Sequence, residues 1–178
     1  MGLDITAYAR FTVVPADKVK LDVDGFPTGN VHRFAGPVQR FSKSIIDFTE
    51  KAFPGRTAGL PVDTFLQADE SFDFRAGSYC GYSSWRDWLA GLTDYGSAKA
   101  VWEDPNASGP FVELINFSDC EGVIGPVVAA KLAKDFSDYQ EKAEEQASDG
   151  PYSYNLEIYR SWRKAFEMAA ASGAIEFH

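Results

Sequence analysis

The sequence predicts one α+β domain with a mixed or mostly antiparallel sheet and three to four helices. Three observations predict it. Strand-like alternation appears near both ends of the chain, helical periodicity dominates the last third, and only short turn signals lie between elements. With 178 residues and no linker long enough to divide them, residues 1–178 read as a single domain.

The elements follow in order. Leu3, Ile5, Ala7 and Ala9 fall on one face of a strand, and Asp4, Thr6, Tyr8 and Arg10 on the other, so Leu3 to Val14 is extended. Pro15-Ala16-Asp17 breaks it. Val19 to Val23 alternates again before the turn signal Asp24-Gly25. Residues 25–40 are rich in Gly and Pro and read as loop, with a short strand at Val31 to Phe34. Phe41, Ile45, Phe48 and Ala52 repeat at helical spacing, and Pro54-Gly55 ends that helix after Phe53. Leu60 to Phe65 reads as an extended segment. Ser71 to Arg75 alternates, Phe72 and Phe74 against Asp73 and Arg75.

Ser83 or Ser84 then caps a helix carrying Trp85, Trp88, Leu89 and Leu92 at i, i+3, i+4 and i+7. Residues 103–110 read as a surface loop. Phe111 to Phe117 is apolar on both faces except at Glu113 and Asn116, the pattern of a strand central in a sheet. Pro126 suits the first turn of a helix, and Val128, Leu132, Phe136 and Tyr139 form its stripe through Val127 to Ala147. A last helix runs from Ser153 to Ser172, with Gly173 placed to end it in the left-handed conformation and 174–178 forming a final strand.

A formal net charge of −9 argues against a general phosphate footprint, so duplex nucleic acid is not an expected partner. A small anion remains compatible, because a local arginine cluster and helix N-termini can override the overall sign. An aromatic content of 15% fits an aromatic core and leaves rings over for a binding cleft. No apolar run approaches the roughly 18 residues of a membrane span. Two cysteines, Cys80 and Cys120, are too few for a disulfide scaffold, and the N-terminus has no basic and apolar leader pattern. The expected setting is cytoplasmic, with reduced thiols.

Two segments carry residues that could do chemistry. The first runs from Arg75 to Arg86 as a Gly-Ser-rich loop opening a helix. Ser78 and Ser83 offer hydroxyls, Tyr79, Tyr82 and Trp85 offer ring faces, and Arg75 and Arg86 offer positive charge, a set suited to a small anionic or nucleotide ligand. The competing reading is a serine-capped helix whose aromatics pack into the core. The second segment is Ser118-Asp119-Cys120-Glu121. Asp119 and Glu121 could act as acid and base or hold a divalent metal, and Cys120 could be a nucleophile, although only His32 and His178 could serve it as base. The bland reading is a turn capped by Ser118 or Asp119. No metal, cofactor or convincing catalytic set is assigned, and the protein is expected to be a binder more than an enzyme.

The runs Met1-Gly2-Leu3-Asp4-Ile5-Thr6-Ala7-Tyr8, Phe72-Asp73-Phe74-Arg75-Ala76-Gly77-Ser78-Tyr79 with Gly81-Tyr82, and Leu114-Ile115-Asn116-Phe117-Ser118-Asp119-Cys120-Glu121-Gly122 give the chain a family likeness. So do Trp162-Arg163-Lys164-Ala165-Phe166-Glu167 and the closing Phe177-His178. Over its whole length it resembles a family of small phage- and prophage-associated bacterial proteins. Cys80 stands where that family is expected to have a serine, which weakens a catalytic or metal role for the thiol. The resemblance implies a phage or prophage setting and no particular activity. In that setting the expected function is binding of a small ligand, sequestering a nucleotide immune signal without cleaving it. The alternatives are a metal-assisted hydrolase of nucleotides or phosphoesters using Asp119 and Glu121, and an acidic protein-interaction or inhibitor module. Homo-oligomerisation stays open.

Overall fold

The computed structural model describes residues 2–28, 36–148 and 153–178. A four-stranded antiparallel sheet lies at its centre, in the order β5-β1-β7-β6. It is built from β1 (Gly2–Ala9), β5 (Glu70–Ser78), β6 (Gly122–Ile124) and β7 (Ala174–Phe177). A small sheet, β2-β4-β3, joins β2 (Thr12–Val13), β3 (Val38–Gln39) and β4 (Leu66–Gln67). Seven α-helices complete the described α+β fold: α1 (Lys43–Ala52), α2 (Tyr79–Ala90), α3 (Ala98–Glu103), α4 (Val112–Ile115), α5 (Pro126–Asp138), α6 (Gln140–Ser148) and α7 (Ser153–Ala170).

Strand alternation gives the central sheet two unlike faces. Leu3, Ile5, Ala7, Ile175 and Phe177 turn to the helices and join a core with Trp85, Trp162, Phe136 and Phe166. Trp162 is its hub, its ring contacting Phe74, Tyr82, Trp85, Phe166 and Phe177 at centroid distances of 5.1–6.0 Å. On the opposite face a smaller core of Tyr8, Phe41, Ile46, Leu66, Ala68, Val123 and Ala174 seats α1 and the small sheet over one end only.

The class and the final strand are as the sequence predicts, and several elements differ from it, the expected strand from Leu3 to Val14 being broken at Arg10, φ 49°, into β1 and β2. Phe111 to Phe117 is not a strand. Phe111 takes a left-handed φ of 61° and Val112–Ile115 forms one helical turn. The apolar run is buried on nearly every side, so it shows no period that separates helix from strand. The strand comes later, at Gly122–Ile124. The helix of Arg75 to Arg86 opens earlier than expected: β5 runs to Ser78, and Ser78 Oγ rather than Ser83 or Ser84 caps it, accepting from Gly81 N at 3.1 Å. Its segment is therefore strand and helix with no intervening loop.

Val19 to Val23 makes no strand, only a bridge between Leu21 and Pro27, because Asp22 Oδ1 draws Asp24 N and Phe26 N into a turn. Leu60 to Phe65 bends, with Asp63 at φ 51°, and leaves Leu66–Gln67 as the only strand there. Val127 to Ala147 is broken at Tyr139 into α5 and α6. The left-handed residue after α7 is Ser172, at φ 57°. Gly173 is needed for a different reason: a Cβ there would lie 1.8 Å from the Tyr8 carbonyl oxygen. The strand expected at Val31 to Phe34 and His32 lie outside the described residues.

Candidate functional site

The outward face of the central sheet collects polar side chains from three strands. Antiparallel register sets Asp4 beside Arg75 and Thr6 beside Asp73, and sets Thr6 beside Glu176 on its other side. Reciprocal backbone bonds between Asp4 and His178, 2.8 and 3.0 Å, extend the same pairing by one residue. Side chains then meet across the strands. Thr6 Oγ1 donates to Asp73 Oδ1 at 2.7 Å and lies 3.0 Å from His178 Nε2. A threonine has one hydroxyl proton, so with that proton on Asp73 the imidazole N–H is the donor to Oγ1. Arg75 reaches Asp4 at 3.5 Å.

One step along β1, the Tyr8 hydroxyl donates to Glu176 Oε2 at 2.9 Å, and Gln39 Nε2 donates to the same oxygen at 3.1 Å and to the Tyr8 hydroxyl oxygen. Burial, then the charge of Glu176, pushes the Tyr8 pKa well above the ordinary phenol value, so Tyr8 stays a donor. Above this network opens a cleft of about 380 Å³, lined by Tyr8, Gln39, Glu176 and His178 with Phe26 and Phe41. Arg40 is also on its wall, its guanidinium 5.4 Å from the Phe65 ring centroid. A site with one carboxylate, one imidazole, one guanidinium, an amide and one exposed ring, that of Phe26, can orient a small molecule that both donates and accepts hydrogen bonds.

The residues expected to form a site group differently. Arg86 does join the two segments. Only 5% exposed, it donates to the carbonyls of Ile115 and Phe117 at 3.3 and 2.9 Å and comes within 4.0 Å of Asp119. Its guanidinium lies between the rings of Tyr82 and Trp102, at 4.6 and 5.1 Å. That pattern ties α2 to the chain after α4, and commits the charge to the protein's own carbonyls. Tyr82 and Trp85 are fully buried and stack on each other at 6.1 Å, so neither presents a ring to solvent. Burial pushes the Tyr82 pKa up despite the nearby Arg86. Ser78 is a helix cap, and Ser83 Oγ accepts weakly from Arg86 at 3.4 Å. Tyr79 is half-buried at the start of α2.

In the second segment, Ser118 Oγ accepts from the backbone of Cys120 and Glu121 at 3.2 and 3.0 Å, which is a turn cap. Cys120 and Cys80 are exposed, and so is Glu121. Among the described residues no three His, Cys, Asp or Glu side chains gather as metal ligands.

Arg75 alone of the expected residues reaches the polar sheet face. Thr6, Tyr8, Gln39, Asp73, Glu176 and His178 are additions. Part of the signal was local: Asp4, Thr6 and Tyr8 alternate with apolar residues, as Asp73 and Arg75 do. What joins them is register between strands 67 and 172 residues apart. No helix among the described residues is long and apolar enough to cross a membrane. No family model matches the chain, and comparison with curated proteins and with solved structures likewise found no match.

Proposed function

We propose that the protein binds a small ligand of the nucleotide class in the cleft over Tyr8, Gln39, Glu176 and His178, and holds it without cleaving it. One observation carries the reading: a cleft of about 380 Å³ stands over a floor of hydrogen-bonded polar side chains drawn from β1, β3 and β7. Buried polar groups that satisfy one another are pre-organised to read a ligand edge. Phe26, 65% exposed, supplies a ring face for a base, Glu176 and Gln39 its hydrogen-bonding edge, and Arg40 the positive charge for phosphate, with the His178 imidazole as a further polar group. The phage-associated resemblance supplies the setting, in which the ligand is a nucleotide immune signal and the protein its cytoplasmic sponge.

The test is calorimetry and thermal melting with a panel of linear and cyclic nucleotides. Ligand at a hundred times its Kd adds roughly 2.7 kcal/mol, which for a chain of this size raises Tm by about 5–10 °C. Glu176→Gln is expected to lose most of that rise, and the nucleotide is recovered intact after denaturation. A flat response across the panel, or recovery of cleaved product, overturns the proposal.

A further inference from the structure

We infer that the cleft reads a guanine base by its ring N–H and neighbouring amino group, with Glu176 as the residue that sets the choice. The choice of guanine rests on the nucleotide reading of the cleft and follows from a count of protons on its floor.

The Tyr8 hydroxyl has one proton and gives it to Glu176 Oε2 at 2.9 Å. The Gln39 amide lies against that same hydroxyl and, at 3.1 Å, against the same Oε2. The phenol has no second proton and a carboxylate has none, so the amide group facing them is the NH2, and both its protons are used. Gln39 Oε1 is left as an acceptor. Glu176 takes both bonds on Oε2, and among the described residues no donor reaches its Oε1. Nor does this half-buried carboxylate join any ion pair among them. The His178 imidazole donates from Nε2 to Thr6 Oγ1 at 3.0 Å, so in the neutral ring Nδ1 is a further acceptor. The donors of Tyr8 and Gln39 are thus used within the protein, and the atoms left over on the floor accept.

A base edge that fits this floor donates from two adjacent atoms. Adenine and cytosine set an amino donor beside a ring-nitrogen acceptor, and uracil sets one N–H between two carbonyls. Each of these turns lone pairs towards acceptors. Guanine sets a ring N–H directly beside its amino group. A mismatched edge strips water from Glu176 Oε1 and returns no donor, which is the costly case. A guanidinium carries the same pair of donors, but Arg40 on the wall of the cleft repels a cation. Arg40 suits instead the phosphate of a nucleotide whose base is neutral, and the exposed Phe26 ring lies on the same cleft for that base to stack on.

The test is calorimetry on the full chain with the monophosphates of guanosine, inosine, adenosine and uridine, and with free arginine. Guanosine monophosphate is expected to bind tightest. Inosine monophosphate differs from it only in lacking the amino group and is expected to bind roughly tenfold weaker, with the adenosine and uridine compounds weaker still. Glu176→Gln keeps an oxygen for Tyr8 and Gln39 and puts an NH2 where Oε1 was, so a donor then meets the guanine donors. In that variant the preference for guanosine over inosine is expected to vanish. Adenosine or uridine monophosphate binding as tightly as guanosine monophosphate overturns the choice of guanine and leaves the nucleotide reading standing. Arginine binding as tightly, inosine binding equally well, or an unchanged preference in Glu176→Gln overturns it in the same way. Binding of none of the nucleotides overturns both.

Discussion

The two faces of the central sheet use the same strands for opposite ends. The inward face is a continuous apolar surface of Leu3, Ile5, Ile175 and Phe177 closed by Trp162, with nearly every side chain sealed from water. The outward face carries Asp4, Thr6, Asp73, Glu176 and His178 and is covered at one end only. Stability comes from burial, so it resides on the first face. Polar groups within reach of solvent lie on the second, where the ligand cleft is proposed.

The strongest way to break this comparison is truncation at the hub. Trp162→Ala is expected to cost about 3–5 kcal/mol in urea unfolding, whereas Thr6→Val on the outward face costs less than about 1 kcal/mol. Equal costs would mean that the polar face is structural. Next comes the junction of the faces. Gly173→Ala drives a methyl into the Tyr8 carbonyl, and its expected cost is about 2–3 kcal/mol, with β7 displaced and ligand binding lost together.

Two tyrosines sharpen the contrast. The Tyr8 hydroxyl bonds Glu176 and Gln39, while the buried Tyr82 hydroxyl has no partner. Tyr8→Phe is expected to destabilise by about 1–2 kcal/mol, and Tyr82→Phe to be neutral or slightly stabilising. Alkali separates them further. Tyr8, Tyr82 and Tyr159 all have pKa values raised by burial in the folded chain. Above about pH 10 the unfolded chain therefore binds fewer protons than the folded one, and stability falls as pH rises. The contribution is whole below that pH. Denaturant melts at pH 8 and 11 check this, and Tyr82→Phe is expected to flatten the slope. Ser78→Ala is expected to cost about 1 kcal/mol in urea unfolding, from loss of the α2 cap.

How much of this was legible in sequence follows from the same contrast. α1 and α7 face core on one side and water on the other, so helical period marks them, and β1 is marked by the alternation of Asp4, Thr6 and Tyr8 with Leu3, Ile5 and Ala7. Phe111 to Phe117 has core on nearly all sides and carries no period, so its apolar run predicts a strand where the chain forms a helical turn. Tyr82, Trp85 and Arg86 had the residue types of a ligand site. Helical spacing from Ser78 turns them inward instead, and burial decided their role. The outward site was half visible as polar positions on β1 and β5. Its assembly depends on which strands become neighbours, and local sequence does not carry that information.

β1 lies between β5 and β7, and Tyr8 bonds Glu176 across 168 positions of chain. On a ribosome adding 5–20 residues each second, that gap is about ten to thirty seconds. Throughout it β1 has been made and its β7 edge stands open, with β6 still unattached to the sheet. The nascent chain is thus at its most adhesive just before β7 is made. A product cut short ahead of Ala174 is expected to precipitate or be held by a chaperone rather than fold into a smaller version of the domain.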